Sequence, residues 1–354
     1  SIHLQGSNFR IAAPIKESIL NKNLFFTVAL FLTSFLVNAQ EVPVKLIQPP
    51  TLKKGDTIAI VAPAGILKNK EAVIEKATAL LKSWGLEVVL GENMFNNGKH
   101  FSGTDKERAA DFQKALDNPK IKAIWAARGG YGSVRILDTL DFSRFQTNPK
   151  WIIGYSDITA FHNHIHNLGV ETIHAMMATS LQNEDAAIIE TIASFKKALF
   201  GEELIYEIPA SHYNRKGVLS TPINALKGQL VGGNLAILAS MLGSESQLNT
   251  DQKILFIEEI GEYKYSIDRM LQSLKRAGYF KNVNAVIVGD ISNIKQNTTK
   301  WGSVIEELIL EVVPEKVPVL FGFPAGHETI NNALIMGRNV LLRFDATTTT
   351  ISFD

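Results

Sequence analysis

The segment WIIGYSDITAFHNHIH, residues 151–166, runs from a β-branched apolar stretch through Gly-Tyr-Ser-Asp into a helix-like stretch with three histidines. Two chemistries are open to it. Ser156 sits where a strand hands over to a helix. A hydroxyl in such a turn is exposed, and the amides at the helix start face any oxyanion formed beside it. The same placement suits a serine that only caps the helix. The lipase-type elbow G-x-S-x-G is not met, because Ile158 occupies the position of the second glycine. The other chemistry is metal binding. His162 and His166, four residues apart, share a helical face as the zinc ligands of H-E-x-x-H do, but Asn163 stands where the glutamate belongs. The pair therefore reads as polar helix surface, with His164 pointing elsewhere. His174, on an apolar strand, reads as a hydrogen-bonded structural histidine.

Further chemistry lies at other strand ends. His327 in FPAGHE follows a strand and a glycine, where a loop can present it as a general base. FIEE places Glu258 and Glu259 at the end of an apolar strand, where an acid is either solvated or orients a histidine; neighbouring strand positions face opposite ways, so only one can reach a given partner. ARGGYGSVR, residues 127–135, follows a strand and precedes a helix as a phosphate loop would. It has no G-K-[ST], and Arg135 replaces the last glycine of G-x-G-x-x-G, so its amides are suited instead to a peptide carboxylate or an oxyanion. GGN, residues 232–234, reads as close packing of backbone.

The elements that must position these residues follow a βαβ rhythm. Strands are expected at 57–62, 86–90, 121–127, 151–155 and 170–175, with helices over 70–84 and from about 105, the latter opened by a Thr104/Glu107 capping box and closed at Asn118-Pro119. A helix over 185–200 ends at Gly201. Such alternation implies a parallel sheet covered on both faces, whose strand carboxyl ends present loops to a ligand crevice. Residues 206–222 lack helical periodicity and read as a linker. A second unit then alternates again, with strands at 253–259 and 284–292, helices at 265–278 and near 301–313, and two closing strands in ALIMG and NVLLRFD. The expected division is 40–205, linker 206–222, and 223–354.

Composition narrows the class. A chain of 354 residues with 45% hydrophobic content can bury a large core, and its net charge of +1 offers no basic face for nucleic acid, favouring a neutral or zwitterionic small substrate. Lys22 precedes an apolar run from Leu24 to Val37 that ends Val37-Asn38-Ala39, which reads as a signal peptide over 1–39. The run is shorter than the roughly 18–20 residues of a spanning helix, so no stable membrane anchor is expected. The absence of cysteine removes thiol catalysis and Cys-zinc sites and, with export, suits a periplasm.

Six motifs in order, GDTIAIVAPAG (55–65), ARGGYG (127–132), PKWIIGYSDITAFH (149–162), GQLVGGNLAIL (228–238), ILFIEEIGEYKYSIDRML (254–271) and FPAGH (323–327), resemble the LD-carboxypeptidases. These serine peptidases include the murein tetrapeptide carboxypeptidases and the microcin-immunity peptidases, and the likeness covers residues 50–345. It implies an α/β fold, with a flavodoxin-like N-terminal parallel-sheet domain and a smaller C-terminal α/β domain. It also implies a triad at their junction: Ser156 as nucleophile, His327 as base, Glu258 as its acid. The oxyanion would then meet the amides of Asp157 and of Gly129 or Gly130. No metal or organic cofactor is called for. The resemblance further implies a homodimer that releases D-alanine from muropeptide tetrapeptides. Two departures stand beside it: Ala64 where serine is common, and HAMM (174–177) in place of His-Gly-Pro-Met, a change that bears on the substrate. The alternatives are a microcin-immunity-like peptidase acting on other amide conjugates and a periplasmic solute-binding protein, which would not need Ser156, Glu258 and His327 at three strand ends.

Overall fold

A computed structural model describes residues 44–217 and 224–354, so the expected export segment 1–39 lies outside the described residues. The first half of the chain lays down β1 (Thr57–Val61), β2 (Glu87–Leu90), a small hairpin of β3 (Asn97–Gly98) and β4 (Phe101–Ser102), then β5 (Ile121–Ala126), β6 (Trp151–Gly154) and β7 (Thr172–His174). The parallel strands run in the order β2-β1-β5-β6-β7, the flavodoxin-like order, so the chain reverses direction across the sheet at β1/β5 and leaves a crevice at their carboxyl ends.

The inner strands β1, β5 and β6 are apolar on both faces because both are covered. Ile58, Ile60, Trp125, Trp151 and Ile153 pack toward the helices Glu71–Ser83 and Ile188–Phe200, whereas Ala59, Val61, Ile124 and Ile152 pack toward Phe112 and Phe161, whose rings stack at 4.4 Å. The helix Asp105–Asp117 starts at the expected capping box, with the Glu107 amide donating to Thr104 Oγ1 and the Thr104 amide to Glu107 Oε2. The helix Ile188–Phe200 stops at Gly201, whose φ of 73° needs a residue without Cβ.

The second sheet contains β8 (Ile205–Pro209), β9 (Ala225–Asn234), β10 (Ile254–Ile260), β11 (Ala285–Ser292) and β12 (Val319–Phe321), with β14 (Asn339–Phe344) and β15 (Thr348–Phe353) added after β13 (Leu334–Met336). Its order is β12-β11-β10-β9-β14-β15-β8, parallel from β12 to β9 and antiparallel beyond. It has seven strands against the six of the first sheet.

Two expectations need correction. The segment 206–222 is not wholly a linker: β8 pairs with β15 at the edge of the second sheet, and Arg215 bridges to Val319, with 218–223 outside the described residues. ALIMG does form a strand, β13, but it returns to the first sheet antiparallel to β7. The second half thus lends a strand to the first sheet. β15 escaped the sequence reading because TTTTISF is β-branched but mostly polar and shows no apolar alternation. Among the described residues no helix is long and apolar enough to cross a membrane.

Candidate active site

Ser156 begins a short 3-10 turn, Ser156–Ile158, between β6 and the helix Thr159–Asn167, and its φ is +60°. A non-glycine residue in the left-handed region is strained, and such strain gathers where a side chain must be aimed. The structure explains how this elbow dispenses with a second glycine. A Cβ on Gly154 would stand 2.7 Å from Ile158 Cγ1, so the glycine before the serine makes room for the side chain that replaces the one after it.

His327 reaches Ser156 from the other sheet. It lies between β12 and β13 in a loop tied to β11 by the Asp290 amide donating to the Ala325 carbonyl at 2.9 Å. Gly326 has φ +144°, and a Cβ there would meet Asp290 Cβ at 2.9 Å. The loop is also held to the first half, since Thr191 Oγ1 donates to the Thr329 carbonyl at 2.8 Å and accepts from the Asn331 amide at 2.8 Å.

Side chains from the end of β6, from β10 and from the loop after β12 form one hydrogen-bonded file. His327 Nε2 is 3.0 Å from Ser156 Oγ, and His327 Nδ1 is 2.8 Å from Glu258 Oε2. Glu258 is fully buried and His327 keeps 13% of its side-chain surface, so the base is open to a ligand while its acid is not. Burial pulls the His327 imidazole pKa down, but the hydrogen bond and charge of Glu258, with Glu259 and Asp290 farther off, outweigh it and leave it raised. Burial lifts Asp290 to about 6.

Glu259 turns the other way. It accepts from Asn234 Nδ2 at 3.1 Å and from the Ala236 and Ile260 amides at 2.8 Å each, and burial raises it to about 7. The β10–β11 register shifts between Ile257 and Glu259, a bulge of the kind that re-aims side chains beside active sites. Through Asn234 this carboxylate anchors the GGN turn, whose close packing is as read from the sequence: a Cβ on Gly233 would meet Thr159 Oγ1 at 2.5 Å, just after the Ser156 turn.

The glycine loop after β5 lies against the serine. A Cβ on Gly129 would come 3.6 Å from the Asp157 amide nitrogen, and Gly130 has φ +90°. The Gly65 amide donates to the Gly129 carbonyl at 2.9 Å, joining the loops after β1 and β5 at the sheet's switch point. Beside His327 a pocket of about 250 Å³ is lined by Tyr155, Ser180, Gln182, Asn183, Thr329 and Asn331.

The histidine helix departs from expectation. His162 and His166 are not polar surface: both are buried, His162 Nε2 bonding the Gly154 carbonyl at 2.9 Å and His166 Nε2 the Thr172 hydroxyl at 3.1 Å. Burial lowers His162 to about 4 and His166 well below the ordinary imidazole range. They serve the core beneath the elbow, because a neutral imidazole satisfies one carbonyl while filling apolar space. His174 is buried as expected, but neither ring nitrogen bonds another residue; it packs edge-on to Phe256 at 5.2 Å. Among the described residues no group of three or more His, Asp or Glu is placed to hold a metal ion. His162→Ala is therefore expected to lower stability by about 2–3 kcal/mol, through a cavity and an unsatisfied Gly154 carbonyl, instead of being silent. EDTA should leave turnover unchanged, since base, acid and hydroxyl all come from side chains. Thermal melts and assays with chelator check both; zinc-reversible inactivation would return the site to the histidine helix.

Sequence reading missed Tyr155, whose ring lies 5.0 Å from that of His327, and Arg108, buried beneath the glycine loop. Arg108 had a visible signal: it stands at the head of the stripe Arg108, Asp111, Phe112, Ala115, a charged pair on the face that Phe112, Ala115 and Leu116 mark as buried.

A serine, an imidazole and a carboxylate in file, at the junction of two α/β sheets, define the class as a serine hydrolase. Residues 58–175 match the LD-carboxypeptidase N-terminal domain and residues 227–342 the LD-carboxypeptidase C-terminal domain. The chain belongs to the LD-carboxypeptidase family, and is a serine carboxypeptidase. It is 35% identical over 296 residues to a Bacillus subtilis (strain 168) protein named "Probable murein peptide carboxypeptidase", covering 82% of this chain and 89% of that one. It is 29% identical to the murein tetrapeptide carboxypeptidase of Pseudomonas aeruginosa, over 80% of this chain and 92% of that one. Among solved structures, the muramoyltetrapeptide carboxypeptidase of Oxalobacter formigenes superposes with a TM-score of 0.72 at 27% identity, covering 84% of this chain and 98% of that one. The protein MccF in complex with glutamyl sulfamoyl guanosine gives 0.74 at 26% identity, covering 87% and 98%.

Proposed function

We propose that this carboxypeptidase cleaves the amide between an L-centre and a terminal D-amino acid in muropeptides, releasing D-alanine from tetrapeptides, with Ser156 as nucleophile. The observation that carries the chemistry is the file Ser156–His327–Glu258. The substrate rests on the names of the relatives. His327 Nε2 takes the Ser156 proton as Oγ bonds the carbonyl carbon, and the oxyanion meets the amides of Asp157 and of Gly129 or Gly130. Collapse breaks the C–N bond, with His327 returning the proton to the departing amine. Water, deprotonated by the same imidazole, then frees the shortened peptide. Glu258 holds the Nδ1–H tautomer and stabilises the imidazolium. The pocket beside His327, where Ser180, Gln182, Asn183, Thr329 and Asn331 stand with the acidic Glu328, offers hydrogen-bonding partners for the amide groups of a peptide. The apolar run Leu24–Val37 supports action in the periplasm, and the family likeness supports a homodimer.

Incubating the purified protein with tetrapeptide muropeptides and weighing the products is expected to show loss of one alanine residue. The base must be neutral to act, so kcat/KM should rise with pH through an apparent pKa above about 6.5, the ordinary histidine value, and that midpoint should fall in Glu258→Gln. The likeness to MccF favours a second reading, hydrolysis of other amide conjugates. Turnover of an aminoacyl sulfamoyl nucleoside with intact muropeptides would decide for it.

A further inference from the structure

The peptide unit joining Gly132 to Ser133 is held between two buried charges. Its carbonyl oxygen accepts from Arg108 Nη1 at 3.1 Å, and its N–H donates to Asp157 Oδ2 at 2.9 Å. Arg108 is 2% exposed and Asp157 1%. The same guanidinium donates to the Pro63 carbonyl and to Asp105, which passes on to Arg135. Asp157 Oδ1 is buried without a partner among the described residues, and no direct ion pair there joins Asp157 to Arg108. Ions this deep need compensation, and a peptide group aligned between them, carbonyl toward the cation and N–H toward the anion, supplies part of it for Asp157, whose carboxyl pKa burial still leaves raised.

Both ends of this arrangement lead to the reacting serine. Asp157 is the residue after Ser156, so its side chain and its own amide leave the same turn. The gripped peptide closes the loop that carries Gly129 and Gly130. Arg128 ties the loop's start to the Ile66 carbonyl and Tyr131 packs against Phe101, but Gly129, Gly130 and Gly132 carry no side chain to fix the amides between, and Pro63 brings in the β1 loop that bonds Gly129.

We propose that Arg108 and the Asp157 carboxylate are positioning residues which, through the Gly132–Ser133 peptide, hold the glycine loop against the Ser156 turn so that its amides and that of Asp157 converge on one oxyanion. This rests on the reading of Ser156 as nucleophile. Donors fixed in advance favour the transition state over the bound substrate, so their loosening lowers kcat and spares KM.

The test uses the full chain. Asp157→Asn keeps an acceptor for the Ser133 N–H but loses the charge; Asp157→Ala loses both. Tetrapeptide hydrolysis is measured per folded molecule, beside covalent labelling of Ser156 by a fluorophosphonate, with Ser156→Ala in parallel. We expect kcat to fall about tenfold in Asp157→Asn and about 10²-fold in Asp157→Ala, KM to stay within about threefold, and labelling to slow in the same order. Arg108→Met combined with Asp157→Asn should lose no more than the worse single change. Unchanged kcat and labelling per folded molecule, a loss confined to KM, or additive losses in the double variant would overturn the proposal. If Asp157→Ala fails to fold, Asp157→Asn decides. Persisting turnover in Ser156→Ala instead overturns the nucleophile reading, while an inactive Ser156→Ala beside a normal Asp157→Asn sinks this proposal alone.

Discussion

Replacing Ser156 by alanine is expected to lower kcat by about 10³-fold or more while leaving the melting temperature within a few degrees of the parent, about the range an exposed-site change produces. The side chain is half-buried and its hydroxyl bonds His327, which is itself partly open, so little core is lost. What disappears is the hydroxyl that His327 Nε2 is placed to deprotonate for attack on the carbonyl carbon. The backbone strain adds a second reading of the same position. Alanine keeps the unfavourable φ of +60°, whereas glycine adopts it freely. Ser156→Gly should therefore be as inactive as Ser156→Ala yet more stable than it by about 1 kcal/mol. Steady-state assays and thermal melts on both variants check this. Retained turnover in either would remove Ser156 as nucleophile, and a glycine variant less stable than the alanine one would mean the strain is not borne there.

The second large effect separates two neighbouring carboxylates. Glu258→Gln is expected to lower kcat by about 10² to 10⁴, because a neutral amide can hold the wrong tautomer of His327 and no longer balances the imidazolium formed during attack. Glu258 has no exposure through which water could take over that role. Glu259→Gln should cost about tenfold or less, since Glu259 lies on the opposite side of β10 and acts on Asn234 and the Ala236 amide. With its carboxyl raised to about 7, Glu259 is protonated over much of the acid range, where glutamine differs from it least. Both variants assayed on one muropeptide give the ranking. The reverse order would move the acid to Glu259, and two mild effects would mean that something else orients the histidine.

Much of the fold was open to reading because its signals are local. The strands of the first sheet are short β-branched runs, and the Thr104/Glu107 box and Gly201 stop are set by backbone hydrogen bonding within a few residues. Misreadings arose where a local pattern is neutral between two settings. Two histidines four apart mark a helical face without saying what covers it, and here β7 and the elbow do. A crossing segment without periodicity can be solvent-exposed or can complete a sheet edge; β8 completes one, because β15 offers it an unpaired partner.

By itself the sequence determined the α/β class, the strand-end placement of Ser156, Glu258 and His327, and the opposite facing of Glu258 and Glu259, since side-chain alternation along a strand is a property of the extended chain. Only the tertiary structure decided that three residues separated by as many as 171 positions meet within hydrogen-bond distance. It likewise decided that β13 crosses back to the first sheet and that Arg108 and Asp157 share one peptide. These depend on which surfaces exclude water together, a property of the packed chain as a whole, and no window of neighbouring residues contains it.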